Sequence, residues 1–426
     1  MSKLSKNRKV MFTATAVALV ALFILSCAPE ATPPTTTSKP EVFRIYSIMD
    51  VTGPYGPLMG PGIAGTEDFV KYVNEQGGID GVRYECPILD TQGKLPLAIS
   101  IYGKVRAYDP KPVAVATSVS TDNEALRERF AEDHIVCVSA AASPRSLYPP
   151  GWIFTCYPDY ASQFGAFLDW MTANWKEGRP PKLAILTWDN AFGRGVLTDK
   201  AKAYAKKKGV EWVTTEFIPV VPTDTTTQLI RIKDSGADWI YYPVHSAALS
   251  VVLKDAERLG MREGLKLCGI YNSVDQVLLK LAGPKLAEGL YAVEGYCPID
   301  APDIPAAQFL REQFIKNGHG NAVWKDANWQ QDYCTTWSMQ GTMVELVRRV
   351  VADVGWDNLT GDAVKKEAIK ITEPYEVLGG VAIINYGEAR RCPNHVRIAQ
   401  VQDGKLIPVT NLRDTPAEIA ELSDYE

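Results

Sequence analysis

Two short loops rich in hydroxyl groups carry the clearest binding chemistry in this sequence. Ser120 and Thr121 follow one apolar, strand-like segment, and Ala141 and Ser143 follow the next. Serine and threonine are common N-caps, so helix starts alone can explain such residues. A helix start also leaves free backbone N–H groups and a positive dipole end, which together attract carboxylates. Because two neighbouring loops share this composition, the pattern favours a carboxylate site.

Aromatic side chains occupy the corresponding positions in the second half of the chain. Trp188 and Phe192, then His245, then Tyr271 follow three apolar, strand-like segments. A single His or Tyr at such a position is usually structural. Three such positions favour an aromatic-lined site, since these rings offer large contact areas and, in several cases, a polar tip.

Other chemistries find little support in the sequence. No Ser-His-Asp set, nucleophile elbow or metal cluster is identifiable, and the four histidines show no zinc-binding spacing. The motif Gly60-Pro61-Gly62-Ile63-Ala64-Gly65 satisfies G-x-G-x-x-G, but about ten residues separate it from the first strand. Its proline also removes a donor that a phosphate would need. We interpret the motif as a glycine-rich loop opening a helix, and expect no enzymatic activity and no cofactor.

Bulk composition narrows the class of protein. The chain is 46% hydrophobic and 22% charged, with a net charge of -5. It is long enough for two folded domains, and no basic surplus suggests nucleic acid. Besides Cys27, seven cysteines are present. We expect buried thiols, although a disulfide is allowed.

The elements that must position these residues alternate regularly from residue 42. Strand-like segments are predicted at 43–48, 84–88, 112–116, 135–138, 183–186, 212–218, 239–242 and 265–270. Helices are predicted between them, at 63–76, 95–107, 122–131, 163–175, 196–208, 225–234 and 247–259. A break near 156–160 divides the series in two. Such alternation predicts two α/β domains with parallel sheets, which bind ligands beyond the carboxyl ends of their strands.

The first 40 residues have the order of an export signal. Four basic residues by position 9 precede an uncharged apolar run, 10–25, too short for a comfortable membrane span. The Ile-Leu-Ser-Cys sequence ending at Cys27 resembles the lipobox of bacterial lipoproteins, which implies a signal peptide over 1–26 and lipid on the Cys27 sulfur. A plain signal anchor with an incidental cysteine is the alternative. The Pro- and Thr-rich residues 27–40 are predicted to be an extended tether.

Three further motifs suggest a family. They are Asp50-Val-Thr-Gly-Pro-Tyr-Gly, Asn74-Glu-Gln-Gly-Gly-Ile-Asp-Gly-Val and Asp189-Asn-Ala-Phe-Gly-Arg-Gly. Together they resemble the type I periplasmic binding proteins, which include the leucine/isoleucine/valine-binding proteins of ABC importers. The resemblance implies two doubly wound α/β lobes joined by a three-strand hinge. The implied lobes are 41–156 with 296–395, and 159–293 with 397–426.

The resemblance also implies roles for individual residues. Ser120, Ala141 and Ser143 match positions that hold a ligand's α-carboxylate, and Phe192 matches an aromatic residue on the opposing lobe. A pocket completed by His245, Tyr271 and either Trp188 or Trp329 would suit an aromatic or other apolar carboxylate.

Two departures from the family pattern bear on the ligand. His245 stands where the amino-acid binders carry a tyrosine, and Tyr271 stands where they carry the acid that pairs with the ligand's ammonium. A buried ammonium without a counter-charge is costly. We therefore expect aromatic or aliphatic carboxylates to bind better than leucine, isoleucine or valine, unless Asp50, Asp189 or Asp332 replaces the missing acid.

The resulting expectation is a solute receptor that performs no chemistry. It would be anchored by lipid on Cys27 to a bacterial membrane, on the periplasmic or extracellular side, and would deliver a small amino acid or organic acid to an ABC permease. The alternative is a sensing module that passes ligand-induced closure to a signalling partner. No later segment is apolar enough to span a bilayer, which disfavours that alternative.

Overall fold

The structure is a computed structural model that describes residues 39–295, 304–320 and 331–420 of the 426-residue chain. The predicted signal peptide, most of the tether, Cys27 and Trp329 lie outside the described residues. No helix in the described ranges has both the length and the apolar character needed to cross a membrane.

The first half of the described chain builds a five-stranded parallel sheet in the order β4-β2-β5-β6-β7. Strands β1 and β3 form a separate parallel pair. The strands are β1 Val42–Arg44, β2 Tyr46–Met49, β3 Arg83–Glu85, β4 Ile88–Asp90, β5 Ala114–Thr117, β6 Val136–Ser139 and β7 Ile153–Thr155. The helices are α1 Gly56–Glu75, α2 Leu95–Val105, α3 Ser120–Asp133 and α4 Pro144–Leu147. Every residue of β5 and β6 is buried, as in parallel strands covered on both faces.

The second sheet has eight strands within the described residues, in the order β16-β15-β12-β11-β10-β8-β9, with β17 paired to β15. Strands β8 to β12 are parallel, and β15 runs antiparallel to its neighbours. The strands are β8 Lys182–Trp188, β9 Glu211–Ile218, β10 Trp239–Tyr242, β11 Lys266–Gly269, β12 Tyr291–Glu294, β15 His395–Gln402, β16 Lys405–Pro408 and β17 Arg413–Asp414. The helices that accompany this sheet are α5 Tyr160–Asn174, α6 Asp199–Lys207, α7 Thr226–Asp234, α8 Ser246–Arg258, α9 Gln276–Ala282 and α10 Pro284–Ala287.

The remaining elements lie in the last third of the chain. They are α11 Pro305–Lys316, α12 Gln331–Val354, α13 Gly361–Lys370, the hairpin β13 Tyr375–Val377 with β14 Ala382–Ile384, and α14 Ala417–Ala420. Short 3₁₀ turns occur at Gly193–Val196 and Trp356–Asn358. Helix α12 packs along α1, and the sequence analysis did not predict it.

The predicted α/β class with two doubly wound lobes is confirmed, and most predicted elements lie within a few residues of their observed bounds. The interpretation of Gly60–Gly65 as a loop is wrong, because α1 begins at Gly56 and includes the whole motif. The glycines serve packing instead. A Cβ at Gly65 would lie 3.1 Å from the Tyr333 carbonyl oxygen, so glycine lets α12 approach α1 closely.

Candidate functional site

A central cavity collects residues from the carboxyl ends of strands in both sheets. Met49 ends β2, Ser118 and Ala140 follow β5 and β6, and His245 and Tyr271 follow β10 and β11. The strand order of the first sheet changes direction between β2 and β5, and that of the second sheet between β8 and β10. Open α/β sheets bind ligands beyond the carboxyl ends of the strands at such a point. About 730 Å³ of space free of protein atoms, open solvent included, lies in this cleft.

The first hydroxyl-rich loop reaches the cavity. Ser120 and Thr121 line it at the start of α3. The Ser120 Oγ lies 3.0 Å from the Tyr160 Oη, which also accepts a 3.0 Å hydrogen bond from the Ala142 amide. Polar groups of both loops therefore converge on a protein hydroxyl. The sequence carried no signal for this role of Tyr160.

The second loop contributes differently from the prediction. Ala140 lines the cavity, but Ala141 and Ser143 do not. Ser143 is fully buried, and its Oγ donates a 2.5 Å hydrogen bond to Glu124 while accepting one from the Ser146 amide. In this structure its hydroxyl proton is used by Glu124 and its oxygen caps the short helix α4, so the hydroxyl is not directed at the cavity.

An aromatic group forms the wall on the side of the second sheet. Phe192 and His245 line the cavity with ring centroids 5.3 Å apart, and Tyr55 from the first half lies 6.0 Å from His245. Contrary to the prediction, Trp188 does not line the cavity. It is 2% exposed and packs behind these rings, 5.5 Å from His245 and 5.9 Å from Phe192.

His245 is a neutral member of this wall. Burial lowers the pKa of His245 to about 4, so its imidazole is uncharged at neutral pH. The Asn272 amide nitrogen lies 3.2 Å from the imidazole Nδ1. His245 therefore offers a flat, uncharged surface and no counter-charge for a ligand.

Tyr271 connects the two sides of the cavity. Its hydroxyl donates a 3.0 Å hydrogen bond to the Ala140 carbonyl oxygen and accepts a 3.1 Å bond from Tyr157. A second polar contact joins the two sides, from the Asn190 amide to the Tyr55 hydroxyl at 3.3 Å. Tyr271 was predicted as a site residue, but Tyr157, Asn190 and Tyr55 were missed.

The three acids that were considered as ammonium partners have different surroundings. Asp50 is buried outside the cavity wall, and its carboxylate accepts hydrogen bonds from the Gly53 and Tyr55 amides at 2.6 and 2.9 Å. Asp189 is exposed and pairs with Arg194. Asp332 lines the cavity at the start of α12. Burial and then the negative charge of Asp275 raise the pKa of Asp332 to about 8.

Two fully buried polar atoms of the wall have no hydrogen-bond partner among the described residues, the Ser118 Oγ and the Asn272 Oδ1. A buried polar atom without a partner costs about 1–3 kcal/mol, and a ligand group could supply the missing bond. Helix α12 adds Thr335, Thr336 and Met339 to the same wall. The sequence analysis did not locate these three residues, because polar side chains on the buried face of α12 obscure its apolar periodicity.

Metal and disulfide chemistry have no visible basis at this site. Within the described ranges, no three or more His, Cys, Asp or Glu side chains are grouped to hold a metal ion. The six cysteines in those ranges are free thiols. The geometry is that of a binding cavity with an aromatic wall, hydroxyl groups and one acid.

Two α/β sheets whose strands direct their carboxyl ends at one cavity are characteristic of type I periplasmic binding proteins. Residues 44–405 match the model of the periplasmic binding protein family, so the chain belongs to that family.

Several known proteins are similar to this chain. The leucine-, isoleucine-, valine-, threonine- and alanine-binding protein of Pseudomonas aeruginosa is 18% identical over 223 residues, which is 52% of this chain and 58% of that protein. A branched-chain amino acid ABC transporter structure from Thermus thermophilus with bound valine has a TM-score of 0.78, with 21% identity, 89% of this chain and 97% of that chain covered. A solute-binding protein from R. palustris in complex with 4-hydroxybenzoate has a TM-score of 0.72, with 18% identity, 88% of this chain and 98% of that chain covered. The two structures share this fold, but one contains valine and the other 4-hydroxybenzoate.

Proposed function

We propose that this protein is the substrate-binding lipoprotein of an ABC importer, acting outside the cytoplasm. Its solute would be a small molecule with a carboxylate, either an amino acid or an aromatic or apolar organic acid. The observation that carries the proposal is the cavity, because the carboxyl ends of both sheets, an aromatic wall and a helix start all face it. The protein would bind and deliver the solute to a permease without changing it chemically.

The start of α3 is the proposed carboxylate site. Val119 precedes the helix with no side-chain cap, so the first amides of α3 are available to a ligand. The unpartnered Ser118 hydroxyl lies in the same wall. Backbone donors and the helix dipole together stabilise a carboxylate by a few kcal/mol in a partly buried site.

Mass spectrometry of small molecules that co-purify with the protein tests this proposal, followed by calorimetry with the compound identified. We expect one carboxylate-bearing solute at close to one molecule per protein. Repeated purification without any bound or binding small molecule would contradict the proposal.

We further propose that the lobes 41–156 with 296–395 and 159–293 with 397–426 close around the solute. The hydrogen bond from Tyr271 to the Ala140 carbonyl joins loops of the two sheets, so it would contribute to the closed state alone. Tyr271→Phe should then weaken solute binding by about 2- to 10-fold, the value of one hydrogen bond. Calorimetry measures the change. Tyr291→Phe, a matched loss of a hydroxyl outside the cavity wall, should bind as the parent does, and equal binding by both variants would argue against this closure.

Lipid attachment at Cys27 is proposed from the sequence alone. Cys27→Ser should abolish acylation, so that the protein is recovered in the soluble fraction or retains residues 1–26. Membrane fractionation and intact-mass measurement report the result. Unchanged membrane association together with an unchanged mass relative to the expected acylated form would exclude the lipoprotein assignment.

A further inference from the structure

The described wall of the central cavity contains an acidic side chain, Asp332, and no lysine or arginine. The negative charge of Asp275 acts on Asp332, and that of Asp122 acts on Tyr55 in the wall. A solute that carried only a negative charge would meet these acids with nothing but neutral donors to offset them.

The carboxyl group of Asp332 belongs to the cavity wall. No hydrogen bond or ion pair joins it to any described residue. Gly62 of α1 faces it without a side chain, and a Cβ there would lie 3.8 Å from the Asp332 Cβ and 3.2 Å from the Thr336 Oγ1. Asp332 therefore lies where the close packing of α1 against α12 meets the cavity, and it belongs to the cavity wall.

Asn272 supplies an independent sign that a donor is missing. Its side chain is 5% exposed and lines the same cavity. The amide nitrogen is within hydrogen-bond distance of His245, while the Oδ1 has no partner among the described residues. A buried acceptor without a partner and a partly exposed acid on one cavity wall are both available to N–H or O–H donors of the ligand.

We infer that the solute carries a positively charged nitrogen and that Asp332 is its counter-charge, with the Asn272 Oδ1 accepting a further donor of the ligand. The inference rests on the proposed function and narrows its ligand class to zwitterionic amino acids or related ammonium compounds. It also changes the ligand preference expected from the sequence. That preference followed from the tyrosine at position 271, whereas the structure has an acid on α12, in the other half of the protein.

The cost of burial gives the physical reason for this assignment. A carboxylate in a cavity without a cation is destabilised, and here desolvation and then the charge of Asp275 raise the pKa of Asp332 to about 8. A bound ammonium removes the cost by forming a charge-assisted hydrogen bond in a site that excludes water. The alternative is that Asp332 stays protonated and donates to a ligand carboxylate, which predicts the opposite ligand preference.

Matched ligands separate these two possibilities. The probes are the common L-amino acids, each with its deaminated acid and its decarboxylated amine, for example L-phenylalanine, 3-phenylpropanoate and phenethylamine. Calorimetry on the parent protein at pH 8 should show at least one amino acid binding roughly 100-fold or more tightly than its deaminated acid. In Asp332→Asn this preference should fall to within about threefold, with the deaminated acid bound as well as before or better.

Asp353→Asn is the matched control, since it makes the same change at an exposed position near the other end of α12. It should keep the preference of the parent. Thermal unfolding of each free variant checks folding, and the comparison of two ligands on one variant is insensitive to a general loss of active protein.

The pH dependence gives a second readout. An ammonium pairs with the ionised form of Asp332, so affinity for the amino acid should rise as pH increases from 6.5 to 8, by up to about tenfold per unit. The other titratable groups in and around the described wall all remain in Asp332→Asn; they are Asp50, Asp122, Asp275, His245, Tyr55, Tyr157, Tyr160 and Tyr271. Loss of most of the slope in that variant therefore assigns the titration to Asp332.

Three outcomes would overturn the inference. They are tighter binding of deaminated acids by the parent, an unchanged amino-acid preference in Asp332→Asn, and binding of no compound in the panel. In the first two cases the protein is still a solute receptor. Only a protein that binds nothing in the panel and yields no co-purifying small molecule contradicts the proposed function as well.

Discussion

Asp122→Asn should raise the unfolding free energy of the ligand-free protein by up to about 4 kcal/mol at pH 8 and change it little near pH 3. Asp122 is 4% exposed on α3 beside the cavity. Burial and then the negative charge of Asp50 raise the pKa of Asp122 to about 7. Each unit of difference between the folded and unfolded pKa corresponds to about 1.36 kcal/mol.

The direction follows from proton linkage. Because the pKa is higher in the folded protein, the folded state binds more protons than the unfolded state between about pH 4 and pH 7. The parent therefore loses stability as pH rises through that window. Asparagine resembles the protonated acid and removes the dependence on pH at this position.

Chemical denaturation at several pH values measures the effect. Asp199→Asn is the control, because Asp199 also lies in the first turn of a helix but is 82% exposed on its side chain. That variant should lose up to about 0.5 kcal/mol through the helix dipole. An Asp122→Asn variant less stable than the parent at pH 8 would show that the carboxylate is satisfied in the folded state.

Phe192→Ala should weaken solute binding by roughly 30-fold or more. Phe192 is 7% exposed on the cavity wall, with its ring centroid 4.8 Å from Tyr160 and 5.3 Å from His245. Truncating an aromatic anchor in a well-packed binding pocket typically costs about 2 kcal/mol or more of binding free energy. At 1.4 kcal/mol per tenfold change, the lost contact predicts this reduction in affinity.

Calorimetry with the solute identified by mass spectrometry is the measurement for Phe192→Ala. Phe217→Ala is the control, since Phe217 is 36% exposed on β9 and is absent from the described cavity wall. It should bind as the parent does. Phe192→Leu should recover part of the affinity, because leucine restores apolar contact without the ring. Parent-like binding by Phe192→Ala would remove the aromatic wall from the site.

The local pattern predicted much of the fold. Strand β10 was predicted at its observed bounds, Trp239–Tyr242, because four large apolar residues between two polar segments indicate a buried strand. Helix α12 was missed, although it has 24 residues. Its buried face includes many polar side chains, such as Thr335, Ser338 and Gln340, and these obscure the apolar periodicity that identifies a helix.

The strand ends predicted from the sequence located part of the cavity wall. Ser120, Thr121, Phe192, His245 and Tyr271 all line the cavity, because parallel strands bring their carboxyl ends to one edge. The sequence could not give the direction of a side chain within a loop. Ser143 turns to cap α4, and Trp188 packs behind the cavity wall against the rings of Phe192 and His245.

By itself, then, the sequence determined the family, the two α/β sheets and the loops that meet at the cavity, because all of these follow from periodicity, local motifs and strand order. Only the tertiary structure decided which groups face the solute. Tyr160 occupies the space between the two hydroxyl-rich loops, and Asp332 reaches the cavity from a helix more than 200 residues further along the chain than Ser120. Contacts between residues so distant in sequence depend on how helices pack against sheets, and no local pattern encodes that packing.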